Sequence, residues 1–483
     1  MLFNSIEFLV FLPLVFVVYW LLQKKLFFQN LFLVIASYIF YGWWNWRFLI
    51  LIAFTTICSY STGLWIADRQ KRNRMNESKW ICVGNVAINL AILGIFKYYN
   101  FFVDSFAALC HDVGWNVDIV TLNLILPVGI SFYTFQALSY TIDVYKQKIS
   151  PTKDAIAFIA FISFFPQLVA GPIERATNLL PQILESRRFD YKTAVDGCRQ
   201  MLWGFFKKMV IADNCAFFVS KIFADYQEMS GLTLLVGGIL FSFQIYGDFS
   251  GYSDIAIGCS RLFGINLMQN FHFPYFSRNI AEFWRRWHIS LNTWFRDYIY
   301  IPLGGSRVST IKVIRNTWII FLVSGLWHGA NWTFVVWGAI HAMLFMPLLL
   351  SKNNRKYLDV VAQGRILPSM KELAQILSNF ILVMFAWIIF RSDTIGDAYQ
   401  YIARIFSPAI FDEVADFLPS MRLYLLLAFL LLLILSEWKQ REYVHGLSVM
   451  SRYRWVRFAE YIVLFYLILS FGGAQAEFIY FQF

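Results

Sequence analysis

Along most of the chain the apolar residues come in runs near the ~20 residues that a helix needs to cross a bilayer, and they recur from the first residues to the last. Runs near 28–44, 48–67 and 80–102, one near 122–145 kinked at Pro127 and Gly129, and a last one near 459–475 predict membrane-spanning helices. The opening stretch, Met1 to Leu22, has Glu7 where a secretory signal would be basic and lacks a small-residue cleavage site, so it reads as a retained first helix.

The middle, residues 155–350, breaks this pattern: its apolar runs are short and interrupted by Pro166, Gly171-Pro172, Gly247, Gly251 and Gly304-Gly305. Interrupted backbone at membrane depth survives only where protein or a cavity satisfies its polar groups. Re-entrant or half-spanning helices are therefore expected over 155–350, between regular helices in 1–154 and in 351–483. The whole is read as one integral membrane domain, all-α and polytopic, with an active site in its centre.

Composition agrees, because 59% hydrophobic and 15% charged residues is too apolar for a soluble domain, where charge usually reaches about 25%. The net charge of +11 is better explained by Lys and Arg retained on the cytoplasmic side than by a nucleic-acid surface. Residues 68–79 carry Arg69, Lys71, Arg72, Arg74 and Lys79, whereas the following loop has Asp104, His111, Asp112 and Asp118 with no Lys or Arg. Residues 351–371 and 439–457 are basic, and 393–420 holds Asp393, Asp397, Asp412, Glu413 and Asp416 against Arg404 alone. Alternation then puts the N-terminus and the tail Phe478–Phe483 outside. The six cysteines are scattered without paired spacing, which argues against disulfides or a zinc site.

The candidate chemistry is concentrated. Glu282–Leu291 and Leu322–Trp332 set His288 and His328 among tryptophans, in a chain with only six histidines. A histidine in an apolar run is either a packed, hydrogen-bonded core residue or a functional group, and as a general base it would take the proton of an acceptor hydroxyl. Residues 277–310 combine Arg278, Arg285, Arg286, Arg296 and Arg307 with Trp284, Trp287, Trp294 and Tyr300. They suit a membrane-surface anchor, or a mouth for an anionic donor in which Arg285, Arg286 and Trp287 bind a phosphate-bearing coenzyme. Asp248 and Asp254 lie among small and aromatic residues, where orienting helices is their simplest role. Nucleophile-elbow, metalloprotease and Walker motifs are missing from the sequence, and no metal site is expected.

With these residues the chain resembles the membrane-bound O-acyltransferase family, in its bacterial alginate O-acetyltransferase branch. The resemblance is carried by Ala36–Tyr41, Leu126–Gln136, Phe165–Pro172, Tyr246–Asp254, Glu282–Ser290 and Gly325–Gly329. It implies a bundle of roughly 10–12 transmembrane helices, thinned at its centre by re-entrant helices and pierced by a tunnel. It implies His328 as the essential histidine and His288 as a second one near the cytoplasmic approach; Asp248, Asp254 and Asn331 are read as structural or supporting residues. It also implies an acetyl-coenzyme A or acyl-carrier donor with no bound cofactor, a location in the bacterial inner membrane, and an extracytoplasmic SGNH-type acyltransferase partner. The tail is similar to an aromatic motif in which a tyrosine, here Tyr480, carries the acyl group, although Phe478, Tyr480, Phe481 and Phe483 would equally serve as an interfacial anchor. Peptidoglycan O-acetylation and teichoic-acid D-alanylation systems are similar too, so the polymer stays open. A polysaccharide or lipid-precursor transporter is the competing class; the paired, internally related halves common in transporters are not visible in the sequence.

Overall fold

The computed structural model describes residues 1–115, 117, 119–122, 124–169, 171–473, 476 and 478–479. Among these residues there is no β-strand. The α-helices are α1 Ile6–Leu21, α2 Leu26–Gly42, α3 Phe48–Lys71, α4 Met75–Leu93, α5 Tyr99–Asp112, α6 Ile130–Tyr145, α7 Ala155–Ser163, α8 Phe165–Leu168, α9 Ala176–Leu184 and α10 Tyr191–Phe205. They continue with α11 Asp213–Ala224, α12 Gly231–Leu262, α13 Ile280–Arg286, α14 Ile289–Phe295, α15 Thr310–His328, α16 Trp332–Leu350, α17 Met370–Arg391, α18 Ile395–Ile405, α19 Met421–Lys439 and α20 Arg454–Phe471.

Among the described residues, six helical stretches are long and apolar enough to cross a bilayer: Phe48–Lys71, Met75–Asp112, Gly231–Leu262, Trp332–Leu350, Met370–Arg391 and Met421–Lys439. The protein is thus an all-helical, polytopic membrane protein. Six is fewer than the roughly 10–12 spans that the resemblance implies, and three further apolar helices fall just outside these limits. Helices α1 and α2, of 16 and 17 residues, fall short of the full bilayer length. Helix α20 opens on Arg454, Arg457 and Glu460.

Three sequence expectations shift. The run near 80–102 belongs to one 38-residue helical stretch, Met75–Asp112, because the wide turn Gly94–Tyr98 joins α4 to α5 without ending the helix. The helix expected over 122–145 starts only at Ile130, after Pro127 and after Gly129 at φ +74°. Gly247 and Gly251, expected to break the chain, lie inside the continuous α12. They serve close approach instead: a Cβ at Gly247 would come within 2.9 Å of the Lys207 carbonyl oxygen, and one at Gly251 within 2.8 Å of that of Gly204.

The chain divides into two compact units, residues 1–197 with 259–268, and residues 198–258 with 269–483. The first is centred on an aromatic cluster in which Phe165 packs edge-on against Phe11 and Phe263, while Tyr19 donates a hydrogen bond to the Phe263 carbonyl at 2.8 Å. Buried Arg187 ties α2 to the end of α9 by donating to Gln29, to Asn30 and to the Ile183 carbonyl.

The second unit contains all the described candidate site residues. Its tightest helix pair is α15 with α16, which meet backbone to backbone. A Cβ at Gly325 would sit 2.2 Å from the Phe334 carbonyl oxygen, and one at Gly338 would sit 2.3 Å from that of Phe321. Neither carbonyl has a flexible end that can yield. We therefore expect Gly338→Ala to cost roughly 1–3 kcal/mol through overpacking and to lower the thermal unfolding midpoint of the detergent-solubilised protein, read by tryptophan fluorescence. Gly84→Ala, whose Cβ would meet open space, serves as the neutral comparison. An unchanged midpoint in Gly338→Ala would mean that this backbone contact does not hold the pair.

Candidate active site

Helix α13 starts at Asn279, whose side-chain oxygen accepts the Glu282 backbone N–H at 2.8 Å. It ends after two turns because Trp287 is extended and His288 adopts the left-handed conformation, φ 45° and ψ 53°. Residues 270–272 run beside this break. The His272 N–H reaches the Arg286 carbonyl and the Ile289 N–H reaches the Asn270 carbonyl, both at 2.9 Å. The backbone groups freed between α13 and α14 are satisfied in this way, and the chain turns inward so that His288 is fully buried.

A buried ion triplet fixes α13. Glu282, 1% exposed, receives Arg278 Nε at 3.0 Å on one oxygen and Arg286 Nη2 at 2.9 Å on the other. Arg278 also reaches the exposed Asp359 at 3.0 Å, and that hydrogen bond holds the Asp359 carboxyl below its usual range. The arginines expected as donor-binding residues therefore differ in position. Arg286 is buried against Glu282 and the His272 imidazole. Arg285 is half-buried and donates to the Asn354 and Tyr357 carbonyls at 2.7 and 2.6 Å. Trp287 is buried among Phe271, Phe283 and Trp387, with ring centres 5.1, 5.4 and 4.9 Å away.

The two histidines singled out in the sequence meet. His328 closes α15 and is 2% exposed, and its ring centre lies 6.4 Å from that of His288. The walls are aromatic: Trp327, Trp337 and Phe390 lie around His328 with centres 5.0, 5.1 and 5.5 Å away, and Phe249 meets His288 edge-on at 4.6 Å. Dry walls of this kind strengthen whatever proton transfer or dipole acts between the rings. Sequence reasoning missed two neighbours. Asn270 Oδ1 lies within hydrogen-bond distance of His288 Nδ1, at 3.0 Å, and on α16 the buried His341 receives the Trp284 indole N–H on Nδ1 at 3.3 Å.

A cavity of about 860 Å³ opens in the same unit. The exposed Arg296, Lys352 and Arg355 and the half-buried Arg285 line part of it, and Ile320, Phe321 and Phe345 form an apolar wall. Ser324 also lines it, one helical turn before His328 and on the same face of α15.

The carboxylates of α12 are supporting groups. Asp248 pairs with the buried Lys208 at 2.8 Å, and Lys208 also reaches Asp213 at 2.8 Å. Asp254 holds Lys207 at 2.5 Å and Gln200 at 2.8 Å. Both lysines lie on the wide turn Phe206–Ala212 and escaped the sequence reading, although a Lys-Lys pair within an apolar run was a usable signal. The same cluster grips the tail: Asp248 accepts the Ile479 N–H at 2.7 Å, Lys208 donates to the Ala476 carbonyl at 3.1 Å, and buried Phe478 packs on Tyr252 and Phe249. Tyr480 lies outside the described residues. Asn331 caps α16, accepting the Thr333 N–H at 3.0 Å and donating to the Asp393 carbonyl at 2.8 Å.

Residues 35–389 match the membrane-bound O-acyltransferase family. The chain is 41% identical to a probable alginate O-acetylase AlgI of Pseudomonas aeruginosa, over 84% of this chain and 75% of that protein. It is 35% identical to a peptidoglycan O-acetyltransferase of Helicobacter pylori, over 83% and 79% of the two chains, and 30% identical to a teichoic acid D-alanyltransferase of Bacillus subtilis, over 49% and 62%. This protein belongs to the membrane-bound O-acyltransferase family. It is an acyltransferase, and the competing transporter reading falls.

The ion triplet gives a stability test. Glu282→Ala would leave the Arg278 and Arg286 side chains, 4% and 8% exposed, facing each other without their carboxylate. A loss of about 3–5 kcal/mol is expected, seen as little folded protein by size-exclusion chromatography. Asp359→Asn removes only an exposed partner and should cost less than about 1 kcal/mol. Equal effects of the two changes would contradict the assignment of Glu282 as the buried anchor.

Proposed function

We propose that this enzyme moves an acetyl group from a cytoplasmic donor across the bacterial inner membrane for O-acetylation of a cell-envelope polysaccharide of the alginate type. The observation that carries this reading is the pairing of His288 and His328 in one aromatic chamber, with a cation-lined cavity ending a helical turn from His328. The alginate O-acetylases at about 40% identity support the polymer. Peptidoglycan O-acetylation and D-alanylation remain the second reading, supported by the other relatives.

The donor is a thioester, acetyl-coenzyme A or an acyl-carrier protein. Its phosphates would pair with Lys352, Arg355, Arg296 and Arg285, and its apolar-lined arm would carry the acyl group towards Ser324. His328 and His288 together handle the proton that the attacking hydroxyl gives up. Arg286 and Trp287 contribute by holding the break after α13 in place. The loop charges support a cytoplasmic side for 351–371 and an outer side for both termini.

On the outer side the tail takes over. The grip of Lys208 on Ala476 and of Asp248 on Ile479, and the contacts of Phe249 with both Phe478 and His288, support a tail that works beside the histidines. Tyr480 would then carry the acetyl group as an aryl ester, whose phenolate is a good leaving group, to an SGNH-type partner.

Two outcomes test this. Protein in lipid nanodiscs, given radiolabelled acetyl-coenzyme A, should acquire covalent label; His328→Ala should lose at least about 100-fold in labelling rate, and Tyr480→Phe should take up no stable label and leave the polymer unacetylated in cells. Wild-type polymer acetylation in Tyr480→Phe cells would remove the relay, and normal labelling of His328→Ala would remove that histidine. Separately, Lys352→Ala with Arg355→Ala should raise the donor KM by about tenfold, a screened share of two charged contacts, with kcat preserved. An unchanged KM would place the donor elsewhere.

A further inference from the structure

His288 is held through a single amide. Asn270, fully buried, stands where the chain passes the break between α13 and α14, and its own carbonyl takes the Ile289 N–H. Its side-chain oxygen lies 3.0 Å from His288 Nδ1 and accepts from Ser290 Oγ at 2.9 Å, and its amide nitrogen donates to Ser253 Oγ at 3.0 Å. With the amide in this orientation its oxygen can only accept, which calls for the imidazole proton on Nδ1. Nε2 is then a bare lone pair. It is buried and meets no hydrogen-bonding group among the described residues.

The left-handed backbone at His288 reinforces this. A side chain other than glycine is uncommon there and persists only where its surroundings impose it. Here they are the two backbone hydrogen bonds flanking the turn and the Asn270 side chain, with Phe249 and Trp327 at 4.6 and 5.6 Å fixing the ring plane. At 6.4 Å between centres, the His288 and His328 rings are too far apart for a direct hydrogen bond.

We propose that Asn270 is a positioning residue that locks His288 with its proton on Nδ1, so that Nε2 is the atom His288 offers to the proton that it and His328 together take from the attacking hydroxyl. This rests on the acyl-transfer reading above. In the step, the hydroxyl proton passes to the His288 and His328 pair, the oxygen bonds to the acyl carbon, the carbon–sulfur bond breaks, and the departing thiolate takes that proton from the pair. Neutral His288 offers no N–H towards the acyl oxygen, which leaves that role to other donors.

The test uses the full chain in lipid nanodiscs. Nitrogen-15 labelling of histidine, with a His288→Asn sample to assign the signals, reports which ring nitrogen bears the proton. Protonated Nδ1 with bare Nε2 is expected for His288; a proton on Nε2 overturns the proposal, and this readout stands whether or not the protein uses acetyl-coenzyme A. Activity supplies the second arm. Asn270→Asp keeps the acceptor and adds a negative charge that stabilises protonated His288, so the acid limb of the kcat/KM profile should move up by a pH unit or more while turnover persists above it. Asn270→Leu removes the acceptor and should lower kcat by about 100-fold. If folded Asn270→Asp is as inactive as Asn270→Leu at every pH, or keeps the wild-type profile, the proposal is wrong; absence of transfer in the wild type would instead sink the donor reading alone.

Discussion

The centre of the second unit depends on satisfying charge and backbone away from water, and Glu282 is where both demands meet. A seven-residue helix has few hydrogen bonds of its own, and α13 ends against a left-handed residue that cannot extend it. Two guanidinium groups on one buried carboxylate fix the orientation of this helix. The position of Trp287 and His288 follows from that anchor. Without it the break after Arg286 would have no reason to lie in the interior.

Around this anchor the structure uses aromatic rings where a soluble enzyme would use water. Trp327, Trp337, Phe249, Phe271 and Phe390 surround the two histidines with surfaces that have a shape but little charge. In such surroundings each remaining polar contact has a large effect, since nothing nearby screens it. One amide, Asn270, can therefore decide which end of an imidazole is chemically available.

Much of this was legible in the residues themselves. The long apolar runs and the alternating loop charges pointed to the class of protein, and His328 stood out because an ionisable group in an apolar run is costly. What escaped was whatever depends on a partner. Gly247 and Gly251 read as breaks, and only the carbonyls of Lys207 and Gly204 reveal them as points of close approach. Asn270 is one polar residue in an ordinary loop, and its meaning comes from a histidine 18 positions later, across a turn that sequence periodicity does not describe. Arg285 and Arg286 look equivalent as neighbours, yet adjacent side chains on a helix face different directions, one lining a cavity and the other sealed against Glu282.

The wide turn Phe206–Ala212 sets the register of α11. A helix advances about 100° per residue, so a turn that accommodates an additional residue rotates the downstream face by that amount relative to an uninterrupted helix. Lys207 and Lys208, consecutive in the chain, both lie inside, facing Asp254 and Asp248 respectively, and Asp213 and Asn214 begin α11 already turned towards the interior. The length of this segment is consequently as constrained as its chemistry: a chain one residue shorter here, with every side chain retained, would form a regular helix and carry one lysine of the pair away from its carboxylate.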